Sequence, residues 1–264
     1  ERFAAVTDQI NHVACKNIAS AARSAGVRSV VFASSCSVYG FAESGDCDET
    51  SSVNPLTAYA RSKFACEQAL IDLASEDFQV TCLRFATACG MSPRLRLDLV
   101  LNDFVANALI TGTITILSDG TPWRPLIHVA DMGRAISWAV SRRNSAPSLI
   151  VNVGRNDWNL RVRDLADAGA AVLPGTSISV NPLAAPDKRS YRVKFDLFDE
   201  IAPADARPRE TLEGTVMGLV EGIRAFTKVA HLDANFRSDP HVNRLRTLLG
   251  HLEAGRLTEQ LHWV

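Results

Sequence analysis

The chain has 264 residues, of which 47% are hydrophobic and 22% are charged, and its formal net charge is −1. This length suffices for one large domain or two smaller ones with a buried core. The near-neutral charge gives no general attraction to nucleic acid or to an anionic membrane. No apolar run approaches the roughly 20 residues of a membrane-spanning helix, and the N-terminus lacks the pattern of a signal peptide.

The six cysteines and six histidines have neither the spacing of a metal site nor that of a disulfide framework. The cysteines include no CxxC pair, and most of them lie inside helix-like or strand-like patterns, as small buried residues do. The histidines include no HExxH or HxH motif. We therefore predict a reduced, cytoplasmic protein without a bound metal.

The first third of the chain alternates helix and strand patterns. Apolar residues recur at helical spacing over residues 3–25, and a β-branched run at 27–33 predicts a buried strand. A polar segment at 40–56 predicts a loop, a second helix follows from 57 to about 75, and QVTCLRF at 79–85 predicts another strand. Helices and strands that alternate with short connections are typical of a parallel α/β sheet.

The rest of the chain continues in the same way. Predicted helices cover 98–111, 130–140, 160–172 and 209–229, with an amphipathic tail at 241–258. Predicted strands cover 113–117 and 149–153, and a short extended run ends the stretch SDGTPWRPLIHV. The segment between the helices predicted at 160–172 and 209–229 is rich in proline and charged residues.

Tyr59 and Lys63 are four residues apart, so a helix places both side chains on one face. An ordinary tyrosine has a pKa of about 10 and is a poor base at neutral pH. A neighbouring ammonium group stabilises the phenolate and lowers that pKa toward the useful range. Such pairs also arise by chance, and the plain alternative is a half-buried tyrosine beside a solvated lysine.

Ser34, Ser35 and Ser37 follow the strand predicted at 27–33. Active sites of open parallel sheets lie beyond the carboxyl ends of the strands, so a serine there can bind a substrate oxygen while Tyr59 removes its proton. The alternative is a turn that satisfies its own backbone. The strand, SSCSVYG, the acidic loop and NPxxxYxxSK are together far more specific than any one of them.

These motifs resemble the extended short-chain dehydrogenase/reductase family, the NAD-dependent nucleotide-sugar epimerases and dehydratases. The resemblance covers nearly the whole chain and includes NHVACKNIASAA, AGVRSVVFASSCSVYG, NPLTAYARSK, VTCLRFATACG, SDGTPWRPLIHVAD and VNVG. It implies a Rossmann-like doubly wound parallel sheet with a smaller C-terminal α/β substrate domain. The catalytic core would comprise residues 1–91 and about 122–156, and the substrate-binding domain about 92–121 and 157–264.

The resemblance also implies site residues, by motif. The catalytic residues would be Ser35, Tyr59 and Lys63. The cofactor NAD would be bound by Asn11, Ser34, Tyr59 and Lys63. A nucleotide-diphosphate sugar would be bound by Ser37, Thr87, Asn102, Arg124 and Arg189, of which the two arginines would contact the diphosphate. Thr87 stands where many members carry an asparagine.

One departure from the family is large. Family members begin with a strand and a GxxGxxG turn that binds the pyrophosphate of NAD. The 264 residues contain no such glycine cluster, and the acidic residue expected at the adenosine ribose is also missing. By comparison with the family, roughly the first three strands are absent. The chain opens at Glu1 in a helical pattern, so we expect that an N-terminal part is missing and that NAD binding would fail without it.

The resemblance implies a reaction in which Tyr59 takes a proton from a sugar hydroxyl while hydride passes to NAD, with Ser35 supporting the developing carbonyl. Family 4,6-dehydratases carry an Asp-Glu pair after the serine, where this chain has Cys36 and Ser37. We therefore predict an epimerase, with a keto-sugar reductase or a dehydratase as alternatives. A non-catalytic protein that binds a nucleotide sugar or a partner is the alternative of another class. A homodimer formed through the helices at 3–25 and 57–75 is also expected.

Overall fold

The computed structural model describes residues 2–41, 45–142, 146–181, 183–184, 190–225, 233, 235–240 and 242–264. The chain divides into two compact units. The first unit comprises Glu1–Ala88, Trp123–Asn159 and Asp187–Arg209, and the second comprises Cys89–Pro122, Leu160–Pro186 and Glu210–Val264. The chain therefore passes between the units several times.

Helices and strands alternate along the described residues. The α-helices are α1 (Ala4–Asp8), α2 (Cys15–Ser24), α3 (Ala58–Ile71), α4 (Val100–Thr111), α5 (Val129–Ser141), α6 (Val162–Val172), α7 (Asp196–Ile201), α8 (Leu212–Ala225) and α9 (Arg244–Glu253). The strands are β1 (Ser29–Ser35), β2 (Asp46–Cys47), β3 (Gln79–Phe85), β4 (Thr87–Cys89), β5 (Thr113–Ile116), β6 (Trp123–His128), β7 (Ser148–Val153), β8 (Asn159–Arg161), β9 (Ser177–Val180) and β10 (Arg192–Val193). None of the helices in the described ranges is long and apolar enough to cross a membrane.

A parallel sheet in the order β1-β3-β7 forms the centre of the first unit. One face carries Phe32, Val80 and Cys82, which pack with α2 and α3. The other face carries Leu83 and Val151, which pack with α5 and α7. Most of the buried residues on both faces are apolar, as expected for a parallel sheet covered by helices on each side.

Two local features fix the ends of the segment between β1 and α3. Gly40 has φ +67, and a Cβ there would stand 1.8 Å from the carbonyl oxygen of Asn54, so no other residue fits without a backbone shift. Thr57 ends the segment as the N-cap of α3, where its Oγ1 accepts a hydrogen bond of 3.1 Å from the backbone N–H of Ala60. The start of α3 is therefore defined by side-chain chemistry.

The second unit contains a two-stranded parallel sheet of β5 and β9. Helices α4, α6 and α8 pack against one another beside it. Asp103 of α4 forms an ion pair with Arg237 at 2.6 Å, which ties the helix to the short turn at Phe236–Ser238.

Most predicted elements are present, and the differences have local causes. The predicted helix at 3–25 contains a π-helical turn at Gln9–Ala14 between α1 and α2. The strands β2, β9 and β10 and the short helix α7 lie in segments that the sequence indicated as loop or as proline-rich and charged. Two of these strands have only two residues each, too few for a periodic pattern.

Residues 187–209 belong to the first unit, although the sequence analysis assigns all of 157–264 to a substrate-binding domain. The reason is pairing and burial. Strand β10 pairs with β2 in parallel, and the fully buried Phe195 and Phe198 join the core of the first unit. The functions assigned to the two parts of the chain stay predictions.

Candidate active site

Helix α3 carries Tyr59 and Lys63 on one face, as their spacing predicts. The Lys63 Nζ lies 5.7 Å from the centroid of the Tyr59 ring and 4.7 Å from that of Phe32. It also donates a hydrogen bond of 2.8 Å to the carbonyl oxygen of Ala33 in β1. The ammonium group is thus held between the end of β1 and the tyrosine, whose side chain is 45% exposed.

Partial burial is the main influence on Lys63. It lowers the pKa of the ammonium below its ordinary value of 10.5, while Cys66, Cys15 and Glu67 act in the opposite direction. A partly desolvated cation close to a tyrosine stabilises a phenolate more strongly than a solvated one, because less water screens the two charges. The role of this pair as a general base stays a prediction.

Ser35 ends β1 in an extended conformation, with φ −150 and ψ 139. Its Oγ accepts a hydrogen bond of 3.2 Å from the backbone N–H of Ser37 and so caps the 3-10 helix at Cys36–Tyr39. A hydroxyl that accepts from a backbone N–H keeps its own hydrogen for donation. Ser35 can therefore cap the turn, as the alternative interpretation of the sequence has it, and still donate a hydrogen bond, as predicted.

Asn11 lies in the π-helical turn and contacts α3. Its Nδ2 donates a hydrogen bond of 3.2 Å to Ser62 Oγ, and this hydroxyl donates one of 2.8 Å to the carbonyl oxygen of Tyr59. Single π-helical turns occur frequently at functional sites. The structure therefore brings Asn11 close to the backbone that carries Tyr59.

Ser34 has a partner that the sequence analysis did not predict. Its side chain is 4% exposed, and its Oγ donates a hydrogen bond of 2.5 Å to Oε1 of Glu67 in α3. The predicted contact of Ser34 with the cofactor stays a prediction. Because the Ser34 hydroxyl is bonded to Glu67, the backbone of Ser34 would have to make that contact. Glu67 gave no signal in the sequence, because a glutamate in an amphipathic helix usually faces solvent.

The described residues predicted to bind substrate belong to both units of the chain. Thr87 begins β4, and Arg124 lies in β6, where its Nη1 donates to the carbonyl oxygen of Trp123 at 2.8 Å. Asn102 lies in the second unit and is 2% exposed. Its Oδ1 accepts from the N–H of Gly90 and its Nδ2 donates to the carbonyl oxygen of Arg96, each at 3.0 Å. The Asn102 amide therefore bonds to the backbone of the segment that precedes α4.

Arg189 lies outside the described residues, so its predicted diphosphate contact is not addressed by the structure.

Cys36, which replaces the acid of the family dehydratases, is fully buried. Its Sγ donates a hydrogen bond of 3.1 Å to the carbonyl oxygen of Arg84. Burial raises the pKa of the Cys36 thiol well above its ordinary value of 9.0. This thiol is unsuited to exchange protons with a substrate at neutral pH.

The residues fit one end of the implied cofactor. Asn11, Tyr59 and Lys63 are connected by contacts in the first unit, and Lys63 also bonds to Ala33, two residues before Ser35. The family resemblance implies that these residues bind the nicotinamide end of NAD. The Ser37 Oγ beside them is buried and has no hydrogen-bond partner among the described residues, and such an orphaned hydroxyl suits a polar ligand. The sequence offers no GxxGxxG turn for the diphosphate end. Within the described ranges, no group of three or more His, Cys, Asp or Glu side chains is arranged to hold a metal ion.

Comparison with known sequences gives the site a context. The sequence pattern of the NAD dependent epimerase/dehydratase family matches residues 3–154. A UDP-glucose 4-epimerase of Rhizobium meliloti (strain 1021) is 29% identical over 174 residues, which are 60% of this chain and 53% of that protein. The chain thus spans about half the length of this relative.

Solved structures show a similar fold. MoeE5 in complex with UDP-glucose and NAD has a TM-score of 0.69 at 26% identity, covering 81% of this chain and 71% of that chain. A UDP-galactose 4-epimerase has a TM-score of 0.68 at 27% identity, covering 84% of this chain and 72% of that one. These likenesses confirm the Rossmann-like α/β fold class and the family resemblance that the sequence predicts.

Proposed function

Because the chain belongs to the NAD-dependent epimerase/dehydratase family, we propose that it acts on a nucleotide-diphosphate sugar as a 4-epimerase. The observation that carries this proposal is the arrangement of Lys63, whose Nζ is held by the carbonyl oxygen of Ala33 and lies 5.7 Å from the Tyr59 ring centroid. This arrangement supports a tyrosine base, and Ala33, which holds Lys63, precedes Ser35 by two residues in the same strand. A UDP-sugar is the first substrate to test, because the Rhizobium meliloti relative is a UDP-glucose 4-epimerase.

Tyr59, Lys63 and Ser35 each have a separate role in the proposed reaction. Tyr59 as phenolate takes the proton from the sugar 4-hydroxyl, and the Lys63 ammonium stabilises the phenolate. Ser35 donates a hydrogen bond to the same sugar oxygen as it becomes a carbonyl. If bound, NAD would be held by Asn11, Ser34, Tyr59 and Lys63 and would supply a reversible hydride acceptor for the sugar carbon. Tyr59 then gives its proton back to the oxygen.

The environment of Cys36 favours epimerisation over dehydration. Elimination of water needs a general acid and a general base next to the sugar. Cys36 is fully buried, and burial raises the pKa of its thiol, so it cannot take the place of a carboxylic acid. A keto-sugar reductase of the same family remains compatible with Ser35, Tyr59 and Lys63.

A second candidate function is binding of a nucleotide sugar without turnover. It needs only the residues predicted to bind substrate, Ser37, Thr87, Asn102, Arg124 and Arg189, and no general base. The predicted homodimer and cytoplasmic location also stay proposals, and light scattering of the purified chain would test the first.

The full chain, incubated with UDP-glucose and NAD and sampled by chromatography, separates these functions. We expect the 4-epimer to form without net reduction of the added NAD. In a parallel incubation with NADH and a 4-keto sugar, consumption of NADH would instead identify a reductase. Calorimetric binding of the nucleotide sugar without any product, together with no nucleotide released on denaturation, would establish the non-catalytic function.

A further inference from the structure

A row of polar side chains crosses the central sheet one residue before Ser35. Ser34, Arg84 and Asn152 are register partners on β1, β3 and β7. Successive residues of a strand point to opposite faces, so these three side chains share one face. Their exposed fractions are 4%, 3% and 0%, so the row is buried on the face that also carries the apolar Phe32, Val80 and Cys82.

Glu67 of α3 is the acceptor at the centre of this row. It is fully buried, its Oε1 accepts from Ser34 Oγ at 2.5 Å, and its Oε2 accepts from Arg84 Nη2 at 2.7 Å. A buried carboxylate needs such a partner, because removing an unpaired charge from water is very costly. Glu67 follows Lys63 by four residues, so it lies on the same face of α3, one turn further along.

Arg84, the partner of Glu67, also bonds to the C-terminal end of the segment that carries Ser35. Arg84 Nη1 donates a hydrogen bond of 3.1 Å to the Tyr39 hydroxyl, which donates one of 2.8 Å to Asn152 Oδ1. Ser34 precedes Ser35, and Tyr39 is the last residue of the 3-10 turn at Cys36–Tyr39 that follows it. Glu67 and Arg84 therefore anchor both ends of this segment to the helix that carries Tyr59 and Lys63.

Stability alone does not explain the arrangement. A buried ion pair is often replaceable by apolar side chains of similar size without loss of stability, and Cys66 and Leu70 already pack α3 against the sheet. Hydrogen bonds add direction that apolar packing lacks, because they hold donor and acceptor in a narrow range of distances and angles. Directional control matters where reacting groups must be aligned, since small displacements of such groups slow a reaction strongly.

We propose that Glu67 is a positioning residue, which through Ser34 and Arg84 fixes Ser35 relative to Tyr59 and Lys63. The catalytic consequence rests on the proposed function, whereas the structural claim can be measured without turnover.

The test uses variants of the full chain that avoid a buried unpaired charge. Ser34→Ala removes only the bond from β1 to Glu67, Ser34→Thr keeps a hydroxyl there, and Glu67→Leu with Arg84→Met removes the ion pair while leaving the charge balanced. Hydrogen exchange is measured in peptides covering 33–39 and 58–66, and kcat and KM are measured per folded molecule. The matched control is Asp131→Asn, which neutralises another fully buried carboxylate of the first unit, paired with Arg134.

We expect Ser34→Ala and the double variant to exchange faster in both peptides, and Asp131→Asn to leave them unchanged. In an active chain, Ser34→Ala should lower kcat about tenfold with KM within about twofold of the wild type, and Ser34→Thr should restore most of kcat. Unchanged exchange in both peptides would overturn the proposal. An unchanged kcat, or a rise in KM alone, would also overturn it, because Ser34 would then bind a ligand directly or have no role. An inactive wild type with faster exchange in the variants would refute the proposed function and leave the positioning role standing.

Discussion

Tyr59 is the single side chain whose chemistry the proposed reaction needs most. It is 45% exposed, so its hydroxyl is not required for the core. We expect Tyr59→Phe to lower kcat by about 10²- to 10⁴-fold, the usual contribution of a positioned acid or base, with the same far-UV spectrum and a similar affinity for the nucleotide sugar. Steady-state kinetics and calorimetry on the same preparation measure both quantities.

The chain provides a matched control for this substitution. Tyr191→Phe removes a phenolic hydroxyl from a residue that is 8% exposed in the core of the first unit. Its kcat should stay close to that of the wild type. If Tyr59→Phe turns over as fast as Tyr191→Phe, the assignment of Tyr59 as the base is wrong.

Among the elements of the fold, α3 has an N-cap, Thr57, that stabilises the turn carrying the proposed base Tyr59. Thr57→Ala deletes the bond from the Ala60 N–H and should cost about 1 kcal/mol of stability. The first turn of α3 would fray, and that turn carries Tyr59, so we expect kcat to fall several-fold. Thr57→Ser should retain both stability and kcat, since serine is an equally good N-cap.

A cap elsewhere distinguishes local fraying from a general loss of stability. Asn243 caps α9 in the second unit, where its Oδ1 accepts from the N–H of Leu245 at 3.1 Å. Asn243→Ala should lower the thermal midpoint by a similar amount and leave kcat unchanged. Equal losses of kcat in Thr57→Ala and Asn243→Ala would contradict the role given to the first turn of α3.

The elements with long periodic patterns were predictable, and so was the shared helix face of Tyr59 and Lys63, because spacing within one helix is a local property. The strand at 79–85 agrees with β3 residue for residue. Contacts between distant residues were not predictable. Glu67 meets Arg84 and Ser34 only once β1, β3 and α3 have assembled, and the Asn102 amide is engaged by the backbone of Gly90. The π-helical turn that contains Asn11 has no distinctive composition that would reveal it.

At the scale of the whole molecule, buried thiols make folding stability depend on pH. Cys82 lies in β3 and is fully buried, and burial raises the pKa of its thiol above the ordinary value of 9.0. Below that value the thiol is protonated in both the folded and the unfolded chain, so its contribution to stability is complete. Above it the unfolded thiol releases its proton while the folded one keeps it. The unfolded state is then favoured by about 1.4 kcal/mol per pH unit for this one group.

Cys82→Ala should remove this pH dependence while weakening the core at every pH. The free energy of unfolding from urea titrations should fall between pH 8 and pH 10 by about 1.4 kcal/mol less in the variant than in the wild type. At pH 8 the variant should be less stable by on the order of 1 kcal/mol, because a buried sulfur is lost. Val80→Ala, a truncation in the same strand and the same core cluster, is the control. Val80→Ala should lower the free energy of unfolding equally at both pH values, since valine does not titrate. An equal pH dependence in Cys82→Ala and Val80→Ala would show that the Cys82 thiol does not titrate as burial requires.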